Sequence, residues 1–163
     1  MIFRLTQKLA DKIGLHRLPG LPPQENPFID WTARVFRVGY VQYILVTNTA
    51  SLYSLVMLGR DITDDNEFVR RTLSAMSELM TKDGFELLYQ RMIAPHTKRI
   101  SFSKTTDLRV LGAMNNLVVQ ADYYITKRQM SPFDVSIQIN DSPKPLLGYR
   151  HPKNIFRQLK AGQ

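Results

Sequence analysis

The chain has 163 residues, of which 44% are hydrophobic and 22% are charged, and its formal net charge is +8. This length predicts a single domain over residues 1–163, and the composition excludes a disordered protein. The absence of cysteine excludes disulfide bonds and thiolate metal sites.

The charges are distributed unevenly along the chain. Residues 61–86 hold seven of the 14 acidic residues and three basic ones, a net charge of −4, which leaves +12 for the remainder. No acidic residue follows Asp141, whereas five basic residues do. This polarisation favours an acidic partner, such as nucleic acid or an acidic protein.

Neither a signal peptide nor a membrane span is predicted. Lys8, Asp11 and Lys12 interrupt the N-terminal region before an apolar run reaches signal-peptide length. The longest mostly apolar run, residues 40–58, contains six polar side chains, too many for a segment that crosses a bilayer. We therefore expect a soluble, cytoplasmic protein.

The N-terminal 28 residues predict a strand, a helix and a connector. Residues 2–5 form the strand, Thr6 caps a helix over residues 7–13, and Gly14 ends it. The prolines of residues 15–28 predict an extended surface connector, with a polyproline ligand as the alternative.

Residues 33–58 predict an antiparallel meander of three strands. Residues 33–38, 40–47 and 51–58 are rich in β-branched and aromatic side chains, with short breaks between them. Because residues 43–46 are apolar on both faces, we expect the middle strand to be central and covered by helices.

Two helices follow the meander. Thr63 or Asp64 is suited to cap the first, and Gly84 is suited to end it. Its apolar stripe consists of Val69, Leu73, Met76 and Met80. Residues 85–93 predict the second helix, which Pro95 stops.

The last part of the chain predicts two strands around a long helix. Residues 99–103 favour an edge strand, and a cap at residues 106–107 starts a helix to about Arg128. Residues 134–139 alternate apolar and polar side chains, which predicts a half-exposed strand. The predicted fold is therefore α+β, with an antiparallel sheet of about four to five strands and helices packed on it.

No motif for catalysis or metal binding is present. His16, His96 and His151 lack the spacing of a metal site, and the common nucleophile and phosphate-loop motifs are absent. We expect no catalytic residue, no metal and no cofactor.

The densest polar cluster lies where the predicted edge strand leads into the long helix. Lys104, Thr105 and Arg109 flank backbone N–H groups that can bind a phosphate or a carboxylate at a helix start. The alternative is that Thr106 or Asp107 caps this helix.

A second candidate surface is the basic C-terminal region. Arg150 precedes a predicted terminal helix over residues 153–160, which begins after Pro152. Its basic side chains are Lys153, Arg157 and Lys160. Such a helix is suited to nucleic acid or a membrane surface, and the alternative is that it docks on its own domain.

Asparagine is a poor helix former, so Asn115 and Asn116 are unexpected inside the long helix. They are predicted either to tie the helix to a sheet edge by hydrogen bonds or to face a partner.

Five segments of the chain resemble a bacterial family of small single-domain proteins of unknown function. They are residues 3–9, Asp30-Trp31, residues 45–54, residues 104–116 and residues 139–143. The resemblance covers nearly the whole chain. It implies one domain and supplies no activity, cofactor or site residue.

We therefore predict a non-enzymatic binding protein that uses a basic face for nucleic acid or an acidic protein. One alternative is an enzyme with a site near residues 104–116. Another is a structural subunit that associates through the exposed β edge or the terminal helix, which a broad apolar patch would favour. The sequence does not indicate an oligomeric state.

Overall fold

The computed structural model describes residues 1–162. Within them, five strands form one sheet: β1 (Ile2–Leu5), β2 (Asp30–Val38), β3 (Val41–Asn48), β4 (Ser54–Leu58) and β5 (Ser101–Lys104). The α-helices are α1 (Gln7–Lys12), α2 (Asp65–Lys82), α3 (Glu86–Leu88), α4 (Leu108–Arg128), α5 (Pro132–Asn140) and α6 (Pro152–Gln158). A π-helical turn (Tyr89–Ile93) continues α3, and 3-10 turns lie at Pro27–Ile29, Ala94–His96 and Pro145–Leu147.

The sheet has the order β4-β3-β2-β1-β5 and is mixed. The predicted antiparallel meander is confirmed as β2-β3-β4. The prediction of a wholly antiparallel sheet is wrong, because β1 runs parallel to both β2 and β5. Two strands of four residues carry no signal for their direction, and the long connections after β1 and β4 allow parallel pairing.

Helices cover both faces of the sheet. On one face, α1, α2 and α6 enclose a core around Phe3, Trp31, Tyr53 and Phe68. On the other face, α4 and α5 pack over Phe36 and Leu45. Residues 43–48 of β3 are all buried, so this strand is covered on both sides as expected.

The segment predicted as a strand over residues 134–139 is part of helix α5 instead. Ser131 Oγ accepts a hydrogen bond from Asp134 N–H at 3.2 Å, and Pro132 occupies the first helical position. These are helix-start signals, and they outweigh a short alternation of apolar residues. The buried residues of α5 have helical spacing and are Val135, Ser136, Ile139 and Asn140.

Helix α5 covers the edge of the sheet at β4. The Ser54 N–H donates to Asn140 Oδ1 at 2.8 Å, and Asn140 Nδ2 donates to the Ser54 carbonyl at 2.7 Å. The Val56 N–H donates to Ser136 Oγ at 2.8 Å. Two side chains one helical turn apart thus satisfy backbone groups that a further strand would otherwise pair. A tie between a helix and the sheet is predicted for Asn115 or Asn116; Asn140 makes this one, and Asn115 of α4 separately accepts a hydrogen bond from Arg34 of β2.

A buried ion pair joins β1 to β2. Arg4 donates to both carboxylate oxygens of Asp30, through Nε and Nη2, each at 2.8 Å. The same guanidinium donates to the carbonyls of Leu21 and Pro22 at 2.8 Å. Since the two side chains are only 11% and 7% exposed, removal of either partner would leave a buried charge unpaired, which costs about 3–5 kcal/mol.

Helix α6 docks through Phe156, whose ring stacks on Tyr53 with 4.6 Å between centroids. The Tyr53 hydroxyl donates to Asp83 Oδ2 at 2.6 Å. Burial raises the pKa of Tyr53 far above its usual value of 10.0, and the hydrogen bond to Asp83 and the charge of that carboxylate raise it further.

Replacement of Asn140 by Ala should lower the free energy of unfolding by about 1–3 kcal/mol, because the Ser54 N–H stays buried without an acceptor. Urea denaturation measures the loss. The matched control is Gln138→Ala, an exposed position of α5 that should change stability by less than about 0.5 kcal/mol. Equal effects of the two changes would contradict the role of Asn140 at the sheet edge.

The unfolding free energy should fall as the pH rises above about 10, the pKa of an unfolded tyrosine. Tyr53 has a raised pKa when folded, so its contribution is complete below pH 10 and is lost above it, by about 1.4 kcal/mol per pH unit. Urea unfolding of the wild type and of Tyr53→Phe at pH 8 and pH 11 isolates this contribution. Parallel pH profiles for the two proteins would refute it.

Candidate functional site

The polar cluster at the start of α4 is organised as a helix cap. Asp107 Oδ1 accepts hydrogen bonds from the N–H groups of Arg109 and Val110 at 3.0 and 3.3 Å. These donors are therefore engaged within the chain, as the alternative interpretation of this cluster expected. Lys104 is exposed, and Arg109 Nε lies 3.7 Å from Asp107 Oδ1.

The predicted basic residues of the C-terminal region differ in their surroundings. Lys153 Nζ lies 3.0 Å from Asp83 Oδ1, a carboxylate that is 4% exposed, and 3.9 Å from Asp141. Lys153 thus joins α6 to the ends of α2 and α5. Arg150 Nε donates to the Leu147 carbonyl at 3.0 Å, whereas Arg157 and Lys160 are exposed.

A groove of about 400 Å³ lies where β2 extends beyond β1. The pairing of these two strands ends at Leu5 and Ala33, so residues 34–38 have no strand beside them on that side. The groove residues come from α1, β2, β3 and α4 and include Lys8, Arg34, Arg37, Gln42 and Val118. We call this the β2 groove.

The β2 groove is electropositive. Lys8, Arg34 and Arg37 form no ion pair with any acidic side chain of residues 1–162. Arg34 Nη1 donates to Asn115 Oδ1, and burial lowers the pKa of this guanidinium. Burial and then the charge of Arg37 lower the pKa of Lys12, while the charge of Asp61 raises it.

Three buried polar atoms beside the groove lack a hydrogen-bond partner among the described residues. They are Thr6 Oγ1, Arg34 Nε and Thr105 Oγ1. Leu5 pairs with Ala33 on one side and with Lys104 on the other. Each of the three atoms belongs to the residue directly after one of these paired residues.

These three residues therefore lie at neighbouring positions, just past the carboxyl ends of β1 and β5 and beside the continuing strand β2. Thr6 N–H donates to the Ala33 carbonyl at 3.1 Å and Thr105 N–H to the Leu5 carbonyl at 3.2 Å, so the strand pairing continues to this level. Open sheets with parallel strands bind ligands at this end. Of the predicted site residues, Thr105 is the one at this level of the sheet, where Thr6 after β1 lies between it and Arg34.

An exposed aromatic side chain stands at the turn that ends β2. Gly39 and Tyr40 connect β2 to β3, and Gly39 has φ +60°. Tyr40 is fully exposed, and Val41 beside it is 45% exposed. In sequence, this turn lies between the groove residues Arg37 and Gln42.

Sequence reasoning missed Lys8, Arg34, Arg37 and Tyr40. The available signal was the pair of arginines within residues 33–38, which are otherwise apolar, next to an aromatic residue in a tight turn. Only the folded chain shows that β1 stops at Leu5 and leaves residues 34–38 of β2 without a strand beside them.

Two further features bear on function. Nowhere in residues 1–162 do three His, Cys, Asp or Glu side chains converge in a way that could hold a metal ion. Over the same residues, the helices are too short or too polar to cross a membrane.

No curated protein and no solved structure matches this chain. A family model does match it, over residues 2–155. This match covers nearly all of the sheet and helices described above and agrees with the resemblance seen in the sequence. The chain therefore belongs to the family described as a domain of unknown function, DUF6933.

Proposed function

We propose that this protein binds single-stranded nucleic acid in the β2 groove, with phosphates on its cations and a base on Tyr40. The supporting observation is that Lys8, Arg34 and Arg37 line one groove without acidic partners among the described residues. Cations that are not neutralised within the protein attract the phosphate backbone and release its counterions.

The cations of the groove have different tasks in this proposal. Lys8 and Arg37 are exposed and act as charges that attract the backbone. Arg34 is partly buried and held by Asn115, so its guanidinium is positioned before a phosphate arrives. A fixed, planar guanidinium binds phosphate oxygens with defined geometry, which a mobile lysine does not.

The exposure of Tyr40 favours a single strand over a duplex. An aromatic ring that is free on both faces stacks on an unpaired base, and every base has a face that fits it. We therefore expect little sequence preference. The same cations are suited to an acidic protein, but a protein partner gives no role to the stacking surface of Tyr40.

The double change Lys8→Gln and Arg37→Gln should weaken the binding of a labelled single-stranded oligonucleotide. Each lost phosphate contact flattens the dependence of log affinity on log salt by about 0.7, hence by about 1.4 for two. Fluorescence anisotropy at several salt concentrations measures both the affinity and this slope.

The matched control for this experiment is Arg157→Gln with Lys160→Gln, which removes the same charge from exposed positions at α6. An equal loss in both double variants would indicate a general effect of net charge and contradict the groove. A loss confined to the α6 variant would instead support the original prediction for Arg157 and Lys160. Absence of binding by the wild type at low salt would exclude nucleic acid and leave an acidic protein as the partner.

Replacement of Tyr40 by Ala should weaken binding by about 1–3 kcal/mol, the usual contribution of one stacked base, and leave the salt slope unchanged. Tyr40→Phe should retain the affinity because it keeps the ring. Tyr40→Leu is the control for apolar area and should behave like the alanine variant. Equal binding by all four proteins would rule out a stacking role.

A further inference from the structure

Lys144 is a buried lysine away from the β2 groove. It lies between α5 and α6 and is 3% exposed. Its backbone pairs with Arg150, with 3.1 Å between Lys144 N and the Arg150 carbonyl oxygen, and Tyr149 N–H donates to the Lys144 carbonyl at 2.9 Å. These bonds close the segment into a small loop and hold Lys144 in place.

The charge of Lys144 is poorly compensated within the described part of the chain. Its Nζ donates to Gln120 Oε1 at 2.9 Å, although an ammonium group has three donors. No carboxylate of residues 1–162 lies within ion-pair distance of it. A buried charge without a counter-ion is unfavourable, and burial lowers the pKa of Lys144 to about 8.

Lys144 and Gln120 both line a cavity of about 220 Å³ between α4 and this loop. Leu52, Ala113 and Leu146 contribute apolar surface to the cavity, and Arg109 lies at it with a side chain that is 81% exposed. A guanidinium binds a carboxylate through two parallel N–H bonds. The cavity therefore combines a buried ammonium, an accessible guanidinium and apolar walls.

We propose that this cavity binds a small carboxylate with an apolar body. The carboxylate accepts hydrogen bonds from Lys144 and Arg109 and acts as the missing counter-ion, and the apolar body lies on Leu52 and Leu146. The limited volume excludes ligands of cofactor size, for which sites of about 300–1,000 Å³ are usual. This site is separate from the proposed nucleic-acid groove and does not depend on it.

Calorimetric titration of the full chain with benzoate and butyrate tests the proposal, and benzamide serves as the uncharged analogue. At least one of the two carboxylates should saturate the protein, and benzamide should bind at least about tenfold more weakly than benzoate, because it offers no charge to the buried ammonium. Absence of saturation by both carboxylates, or equal binding of benzoate and benzamide, would overturn the proposal.

Variants separate the two cations. Lys144→Met keeps the length of the side chain and should abolish carboxylate binding without lowering the melting temperature, because it removes an unpaired buried charge. Arg109→Gln should weaken binding about tenfold and leave the fold intact, since Arg109 is exposed. Arg157→Gln is the matched control at a distant exposed position. Wild-type affinity in Lys144→Met would refute the site.

The pH dependence supplies a second test. The carboxylate needs the protonated lysine, so affinity should fall about tenfold from pH 7 to pH 9 in the wild type. The other charged side chains near the cavity are Asp107, Arg109 and Arg150, and Arg109→Gln should retain this pH dependence. An affinity that stays constant from pH 7 to pH 9 would contradict the role of Lys144.

Discussion

The buried pair of Arg4 and Asp30 is the interaction on which the arrangement of the sheet depends. It joins β1 to β2, and through the carbonyls of Leu21 and Pro22 it holds the connector against the sheet. The connector in turn bonds to β5, where Pro19 accepts from Lys104 N–H at 2.9 Å. Asp30 also accepts from Thr49 Oγ1 at 2.9 Å, which attaches the turn between β3 and β4. The ion pair is thus bonded directly to β1, β2 and the turn after β3, and it is linked to β5 through the connector.

Backbone groups without a partner strand occur at two places in the sheet, and their surroundings differ. At β4, Ser136 and Asn140 of α5 satisfy the outward groups, so this edge is closed to other chains. At β2, the strand continues past the end of β1, and basic side chains border the gap. The open part of β2 is therefore one place where the fold leaves room for a ligand, and its basic side chains favour an anion.

Net charge alone does not distinguish the tasks of the basic residues. Arg4 and Lys153 neutralise buried carboxylates and hold elements together. Lys144 is buried beside an amide, whereas Lys8 and Arg37 face a groove. A lysine or arginine looks the same in the sequence in each case, because its task depends on whether an acidic side chain from a distant segment reaches it.

Features of secondary structure that depend on residues close together in the chain follow from the sequence alone. Local signals that act within a few residues predict the helix starts at residues 63–64 and 106–107, the meander, and the terminal helix at Pro152. The α+β class followed from them.

The direction of β1 and the composition of the candidate site depend on contacts between distant segments of the folded chain. Leu5 lies between Ala33 and Lys104, partners 28 and 99 residues away, and no local pattern encodes such contacts. Residues 134–139 are helical because the start signals at Ser131 and Pro132 outweigh a short alternation, and the packing of α5 on β4 with its bond to Ser54 stabilises the same state. The β2 groove exists because β1 is shorter than β2, and cations from two separate segments, α1 and β2, border it.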